Sequence, residues 1–294
     1  MKILIAVSSK EYSGPTLDVG MNIARALKAS TTIVDVGQKI REFSSKDVSL
    51  ANEVMESWDL NRPGVDVLEW AYNYLAKNKF IEPKTIEAGF PKNLLVERGS
   101  NRAEVYLKGS VVENLNLILR NGDIIEELRD EVQTYDYDVT IIGGSGKRSM
   151  AHDFIQYIDS SIFIVNNFDL KQDYRILLAV DDSSGTAKAV KYGVRVSQAF
   201  GIQVDLLTIS KDEHFGEGYK GASARAEKLM RRSGVQTNTL FKVGDPVNTI
   251  VRTAGDNHII IMGASTQSPI TKFFKGSKPL NVIKACNCPV LIVK

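Results

Sequence analysis

Gly263-Ala264-Ser265-Thr266, nine further residues and then Gly276-Ser277 form the stretch of this chain whose residue types and spacing best suit holding a phosphate. A glycine that ends a buried strand lets backbone N–H groups approach phosphate oxygens. A Gly-Ser pair opening the next helix aims unpaired N–H groups and the positive end of the helix dipole at the same anion. Pro279 suits the first turn of that helix, where its missing N–H costs nothing, and Lys272, Lys275 and Lys278 add positive charge nearby. A second glycine-rich segment, Gly143-Gly144-Ser145-Gly146-Lys147, resembles a Walker loop only superficially. Ile141 stands in the place of its first glycine, Arg148 follows the lysine instead of Ser or Thr, and Gln156-Tyr157 occupy the position of Gly-Ser.

Other chemistries find less support. Cys286 and Cys288 are the only cysteines, and their spacing excludes a disulfide framework. His152, His214 and His258 are scattered, with no metal-ligand spacing, so the two thiols read as small semi-buried side chains in a reducing cytoplasm. The formal net charge of +2 is too weak to point to nucleic acid or to a membrane surface, and neither is expected as a partner. The apolar start, Ile3 to Val7, is too short for a signal segment, and no run approaches the ~20 apolar residues of a membrane span. The expected location is cytoplasmic.

The elements that position these residues come in duplicate. Lys2-Ile-Leu-Ile-Ala-Val7 recurs as Arg175-Ile-Leu-Leu-Ala-Val180, and the strand-like LNLIL, Gly122-Asp123, helix and YDVTIIGG recur as TLFKV, Gly244-Asp245, helix and HIIIMG. Ser161 to Val165 is matched by Pro289 to Val293. Short, almost wholly apolar strands alternating with amphipathic helices demand βαβ crossovers and a parallel, doubly wound sheet. The expectation is an α/β tandem repeat of two mainly parallel five-stranded sheets, with domains at 1–172 and 173–294 and a boundary near Gln172. The interval from Ile3 to Gly122 exceeds that from Ile176 to Gly244 by 51 residues, so the first half carries an insertion near 45–110. That insertion is expected to include a helical run, Val67 to Phe80, and a hairpin between Asn93 and Lys108. The closing segments, Ser161 to Val165 and Pro289 to Val293, are expected to pair antiparallel within the chain.

ILLAVDDSS (176–184), VDLLTIS (204–210), the Gly-Asp-Pro helix and MGASTQSPITKFFKGSKPLNVI followed by CPVLIV resemble a UspA-type universal stress protein across the whole second half. The resemblance implies a Rossmann-like sheet of the adenine nucleotide alpha hydrolase kind. It implies AMP or ATP as cofactor, with Mg²⁺ accompanying ATP, and a stress-response role with no chemistry beyond slow ATP hydrolysis. It places Asp181 against the ribose or base, the backbone of Ile209 against adenine, and Gly263, Ser265, Thr266, Gly276 and Ser277 around the phosphates. Thr266 departs from the family loop, which has glycine there; where that position needs positive φ, a β-branched residue costs on the order of 1 kcal/mol or more. Ser8 replaces the acid in the first half, which therefore reads as a degenerate partner domain in an intramolecular pseudo-dimer, with a homodimer open as a further level. Two other readings stay open: a non-binding structural protein, and an adenylate-using enzyme, for which AVDDSS lacks the necessary glycine-rich loop.

Overall fold

The computed structural model describes residues 1–11, 13–37, 64–90, 96–97, 102–107, 114–144, 148–169, 171–264 and 278–294. The first half runs β1 (Lys2–Val7), α1 (Gly14–Leu27), β2 (Ser30–Gly37), α2 (Val65–Lys77), α3 (Pro83–Ala88), β3 (Val96–Glu97), β4 (Arg102–Leu107), β5 (Leu115–Asn121), α4 (Ile124–Tyr135), β6 (Val139–Gly143), α5 (Arg148–Tyr157) and β7 (Ser161–Val165). The second runs β8 (Arg175–Ala179), α6 (Ser184–Phe200), β9 (Val204–Ser210), α7 (Glu217–Arg232), β10 (Thr237–Val243), α8 (Pro246–Ala254), β11 (His258–Gly263), α9 (Lys278–Ala285) and β12 (Val290–Val293). The apolar runs are strands for the expected reason. Ile3, Leu4 and Ile5 in β1 and Ile176, Leu177 and Leu178 in β8 are fully buried, covered by a helical layer on each sheet face.

Both halves follow one winding order. The first strand lies central, the second and third strands lie to one side of it, and the fourth and fifth lie to the other, as β5-β2-β1-β6-β7 and β10-β9-β8-β11-β12. The Gly-Asp pairs repeat for a local reason: Asp123 accepts the N–H of Ile125 at 2.9 Å, and Asp245 accepts that of Asn248 at 2.9 Å, so each caps the third crossover helix of its half.

The sheet count differs from expectation. Instead of two five-stranded sheets, the described strands form one twelve-stranded sheet, because β7 and β12 pair antiparallel with Val290 opposite Ile164, Leu291 opposite Phe163 and Ile292 opposite Ile162. Two bare apolar edges are removed at once by this pairing. The antiparallel strands β4 and β3 then extend the first-half edge beyond β5. The seam carries reciprocal contacts: Lys294 Nζ donates to the carbonyls of Ile155, at 2.6 Å, and Ile158 beyond α5, while Asn166 Nδ2 reaches the carbonyl of Cys288, at 3.5 Å, beyond α9.

The helical run expected inside the insertion has a different role. α2 packs on β2 and β5 as α7 packs on β9 and β10, and both begin after a glycine cap, Gly64 and Gly216. It is the second crossover helix of the first half, and the extra residues flank it on both sides. The hairpin is present as β3 and β4, with its turn outside the described residues. A buried ionic network ties β4 to the fold. Arg102 donates to Glu104 and, through Nε at 3.0 Å, to Glu131, while Arg120 bonds Glu127 and Glu131 at 2.7 Å each.

Candidate functional site

The helices that follow β8 and β11, α6 and α9, pack on opposite faces of the sheet, so the carboxyl ends of these neighbouring strands form a switch point where a crevice is expected. Asp181 lies just past β8. Its Oδ1 accepts the Ser183 N–H at 3.1 Å, the Ser183 hydroxyl at 2.5 Å and the Thr186 hydroxyl at 2.6 Å, and Thr186 Oγ1 in turn accepts the Asp181 N–H at 3.2 Å. Burial pushes this carboxyl up, but the Ser183 and Thr186 bonds and the positive charge of Lys278 outweigh it and hold the group below the usual 3.8. Asp181 is therefore a fixed, ionised carboxylate. Both hydroxyls donate to it and hold it in place.

Ile209, one residue before the end of β9, is half-buried. The carbonyl of Leu207 accepts the Val180 N–H at 2.9 Å, and that of Ser210 accepts the Gly244 N–H at 2.9 Å. Backbone groups alternate sides along a strand. Those of Ile209 therefore face the β8 side with Leu207, beyond Ala179↔Leu207, the last rung of the β8–β9 ladder. A donor and an acceptor are thus presented to the crevice next to Asp181.

Gly263 closes β11 against the first turn of α6. A Cβ on Gly263 would lie 2.6 Å from the Gly185 carbonyl carbon, and one on Gly185 would lie 2.6 Å from the Ala264 oxygen. Backbone meets backbone here, and neither position has room for a methyl group. The structure thus brings Asp181, Ile209 and Gly263 to one end of the sheet, while Ser265, Thr266, Gly276 and Ser277 lie outside the described residues. Lys278 opens α9 and is exposed. Sequence reasoning missed Gly185, Ser183 and Thr186. A hydroxyl five residues after the strand-end position in both halves, Ser13 after Ser8 and Thr186 after Asp181, was the available clue.

Comparison with known proteins bears on this geometry. The universal stress protein family model matches residues 174–294. The C-terminal half is a universal stress protein domain. Over 138 residues it is 25% identical to a universal stress protein of Methanocaldococcus jannaschii, a match that covers 41% of this chain and 81% of the relative. Over 146 residues it is 25% identical to the universal stress protein YxiE of Bacillus subtilis, covering 41% of this chain and 98% of the relative. The fold likeness is wider. The crystal structure of a universal stress protein from Archaeoglobus fulgidus covers 100% of this chain, which covers 96% of that one, with a TM-score of 0.62 at 15% identity. At that identity the likeness speaks for the fold alone, and it fits a tandem layout of two such domains.

Outside the crevice, Cys286 and Cys288 are buried and not joined in a disulfide, and no cluster of metal-ligating side chains occurs among the described residues. His258 Nε2 and Arg175 both bond Asp205, at 3.1 and 2.6 Å, at the opposite end of the sheet. No helix among the described residues is long and apolar enough to cross a membrane.

Proposed function

We propose that the universal stress domain binds an adenine nucleotide, AMP or ATP, at the carboxyl ends of β8, β9 and β11, and acts as a nucleotide-responsive binding protein in the cytoplasm rather than as an enzyme. The observation that carries this reading is the juxtaposition of the outward-facing backbone of Ile209 with the fixed carboxylate of Asp181. An adenine edge needs one donor and one acceptor, and a ribose needs an acceptor for its hydroxyls. Gly263 begins the loop that would hold the phosphates, completed by Ser265, Thr266, Gly276 and Ser277, with Lys278 supplying charge. ATP would bring its Mg²⁺ on its own phosphates. With β7 and β12 already paired, the working unit of this reading is the single chain with one site.

Native protein denatured mildly and examined by mass spectrometry should release AMP or ATP. Calorimetric titration of emptied protein should give one site per chain, weakened at least tenfold by Asp181→Asn. Two equivalent sites, or unchanged affinity in the variant, would overturn the assignment.

A further inference from the structure

The modest net charge of the chain conceals an uneven distribution. α6 and α7 together carry eight basic side chains (Lys188, Lys191, Arg195, Lys220, Arg225, Lys228, Arg231 and Arg232) against two acidic ones, Glu217 and Glu227. These two helices thus hold +6 in a protein of formal net charge +2. The arrangement is regular. Lys188, Lys191 and Arg195 on α6, and Arg225, Lys228 and Arg232 on α7, each follow i, i+3, i+7 spacing, and all six are exposed. That spacing puts each triplet on one helix face, spread over about 10 Å at 1.5 Å per residue. The helices pack side by side, so the two rows lie roughly 10 Å apart.

The fold does not require this charge. At the positions equivalent to Lys188, Lys191 and Arg195, α1 carries Pro15, Asp18 and Asn22. Little of the charge is neutralised by carboxylate side chains: none pairs with Lys191, Arg225, Lys228 or Arg232 among the described residues, whereas Lys188 donates to the Lys294 carbonyl, Arg195 reaches Met1 Sδ at 3.4 Å and Lys220 is held by Glu217 at 3.2 Å. The face also lacks what a protein interface or a membrane-inserting surface needs. Among the described residues the exposed large apolar ones, Met1, Ile86, Tyr157, Phe241 and Val243, all lie off α6 and α7.

We propose that the α6–α7 face binds the phosphate backbone of duplex nucleic acid without regard to sequence. Two parallel cation rows about 10 Å apart match the two phosphate strands that flank a groove roughly 12 Å wide. Arginine in both rows adds bidentate contacts to phosphate. This surface is separate from the β8–β11 crevice and does not depend on that crevice's ligand.

The test is fluorescence anisotropy of a labelled duplex of about 20 base pairs, titrated with full-length protein across a salt series. Six phosphate contacts predict a slope of log K against log salt near −5 and a fall in affinity on the order of 10³-fold between about 50 and 200 mM salt. Arg225→Gln/Lys228→Gln/Arg232→Gln should roughly halve the slope, while Arg252→Gln/Lys284→Gln on the opposite helical layer should leave it unchanged. Circular dichroism checks that the variants fold, and single Lys191→Gln or Arg225→Gln changes, each worth about 0.9 in slope, replace the triple variant if it does not. Absence of duplex binding at about 50 mM salt, equal slopes for wild type and the α7 variant, or binding only to phosphatidylserine vesicles would overturn the proposal.

Discussion

Ser13 and Thr186 occupy equivalent places, five residues beyond the matched positions Ser8 and Asp181 that follow the first strand of each half, and both accept a backbone N–H from the turn. Ser13 Oγ takes those of Ser8 at 3.0 Å and Ser9 at 3.3 Å, and Thr186 Oγ1 takes that of Asp181 at 3.2 Å. The hydroxyl that shapes the turn is thus common to both halves, and the carboxylate is confined to the second. One strand over the pattern reverses: Asp35 near the end of β2 is buried beneath the start of α2, where the equivalent residue of β9 is Thr208. The fold preserves what closes its turns and leaves the charged groups free to diverge.

The seam between these unlike halves is where the largest disruption is expected. Leu291 is about 1% exposed and sits opposite Phe163 in the antiparallel pairing. Leu291→Lys buries an unpaired charge between the halves and should cost well over ~3 kcal/mol. Limited proteolysis should then cut the connector 166–174 while each half stays protected. Simultaneous digestion of both halves would show that neither is independently stable.

A second break should fall on one half only. Arg102 is buried with Glu104 and Glu131, so Arg102→Met takes a guanidinium from two buried carboxylates, leaves Glu131 to Arg120 alone, and should cost about 3–5 kcal/mol. Hydrogen exchange is expected to rise in β4, β5 and α4 and to stay unchanged in β8 through β12. A uniform rise would mean that the halves unfold as one unit.

Much of this architecture was legible because buried parallel strands write themselves as short apolar runs, and because two copies of a pattern check each other. Asp181 and Gly263 were legible for the same reason, lying at the ends of such runs. The Arg102 network was not, since its partner Glu131 is 29 residues away and a charged residue in a strand-like segment reads as solvent-facing. The role of α2 was misread because offsets between matched motifs count extra residues without locating them. Thr186 was missed because a threonine early in a helical pattern looks like ordinary helix sequence until its hydroxyl is seen bonded to the carboxylate.

Asp35 should give the first half a pH dependence that the second lacks. Burial, reinforced by the nearby charge of Asp66 and only partly offset by the Val36 N–H, raises its carboxyl to about 7. The folded state then holds a proton that the unfolded chain has released above about 3.8, so stability falls as pH rises from that value to about 7 and levels off above it. The full effect is at most about 4 kcal/mol. Urea midpoints should show Asp35→Asn gaining on the wild type between pH 5 and pH 8. A constant difference across that range would place the titrating group elsewhere.

The smallest effect tests the two hydroxyls directly. Ser13→Ala leaves the N–H groups of Ser8 and Ser9 short of an acceptor, and Thr186→Val leaves the Asp181 N–H and Oδ1 short of one bond each, so both should cost about 1–2 kcal/mol at pH 7. Their pH dependence should differ. Asp181 is held below 3.8 in the folded state, so its contribution is present above that value and is lost as pH falls through the folded pKa. Thr186 is one of the bonds that hold it there. The cost of Thr186→Val should therefore shrink below about pH 4, while the cost of Ser13→Ala, with no carboxylate at Ser8, should stay level. Unfolding midpoints at pH 3 and pH 7 separate the two cases. A cost that stays level in both variants would mean that the hydroxyls only close the turns, and that Asp181 is held by the rest of its surroundings.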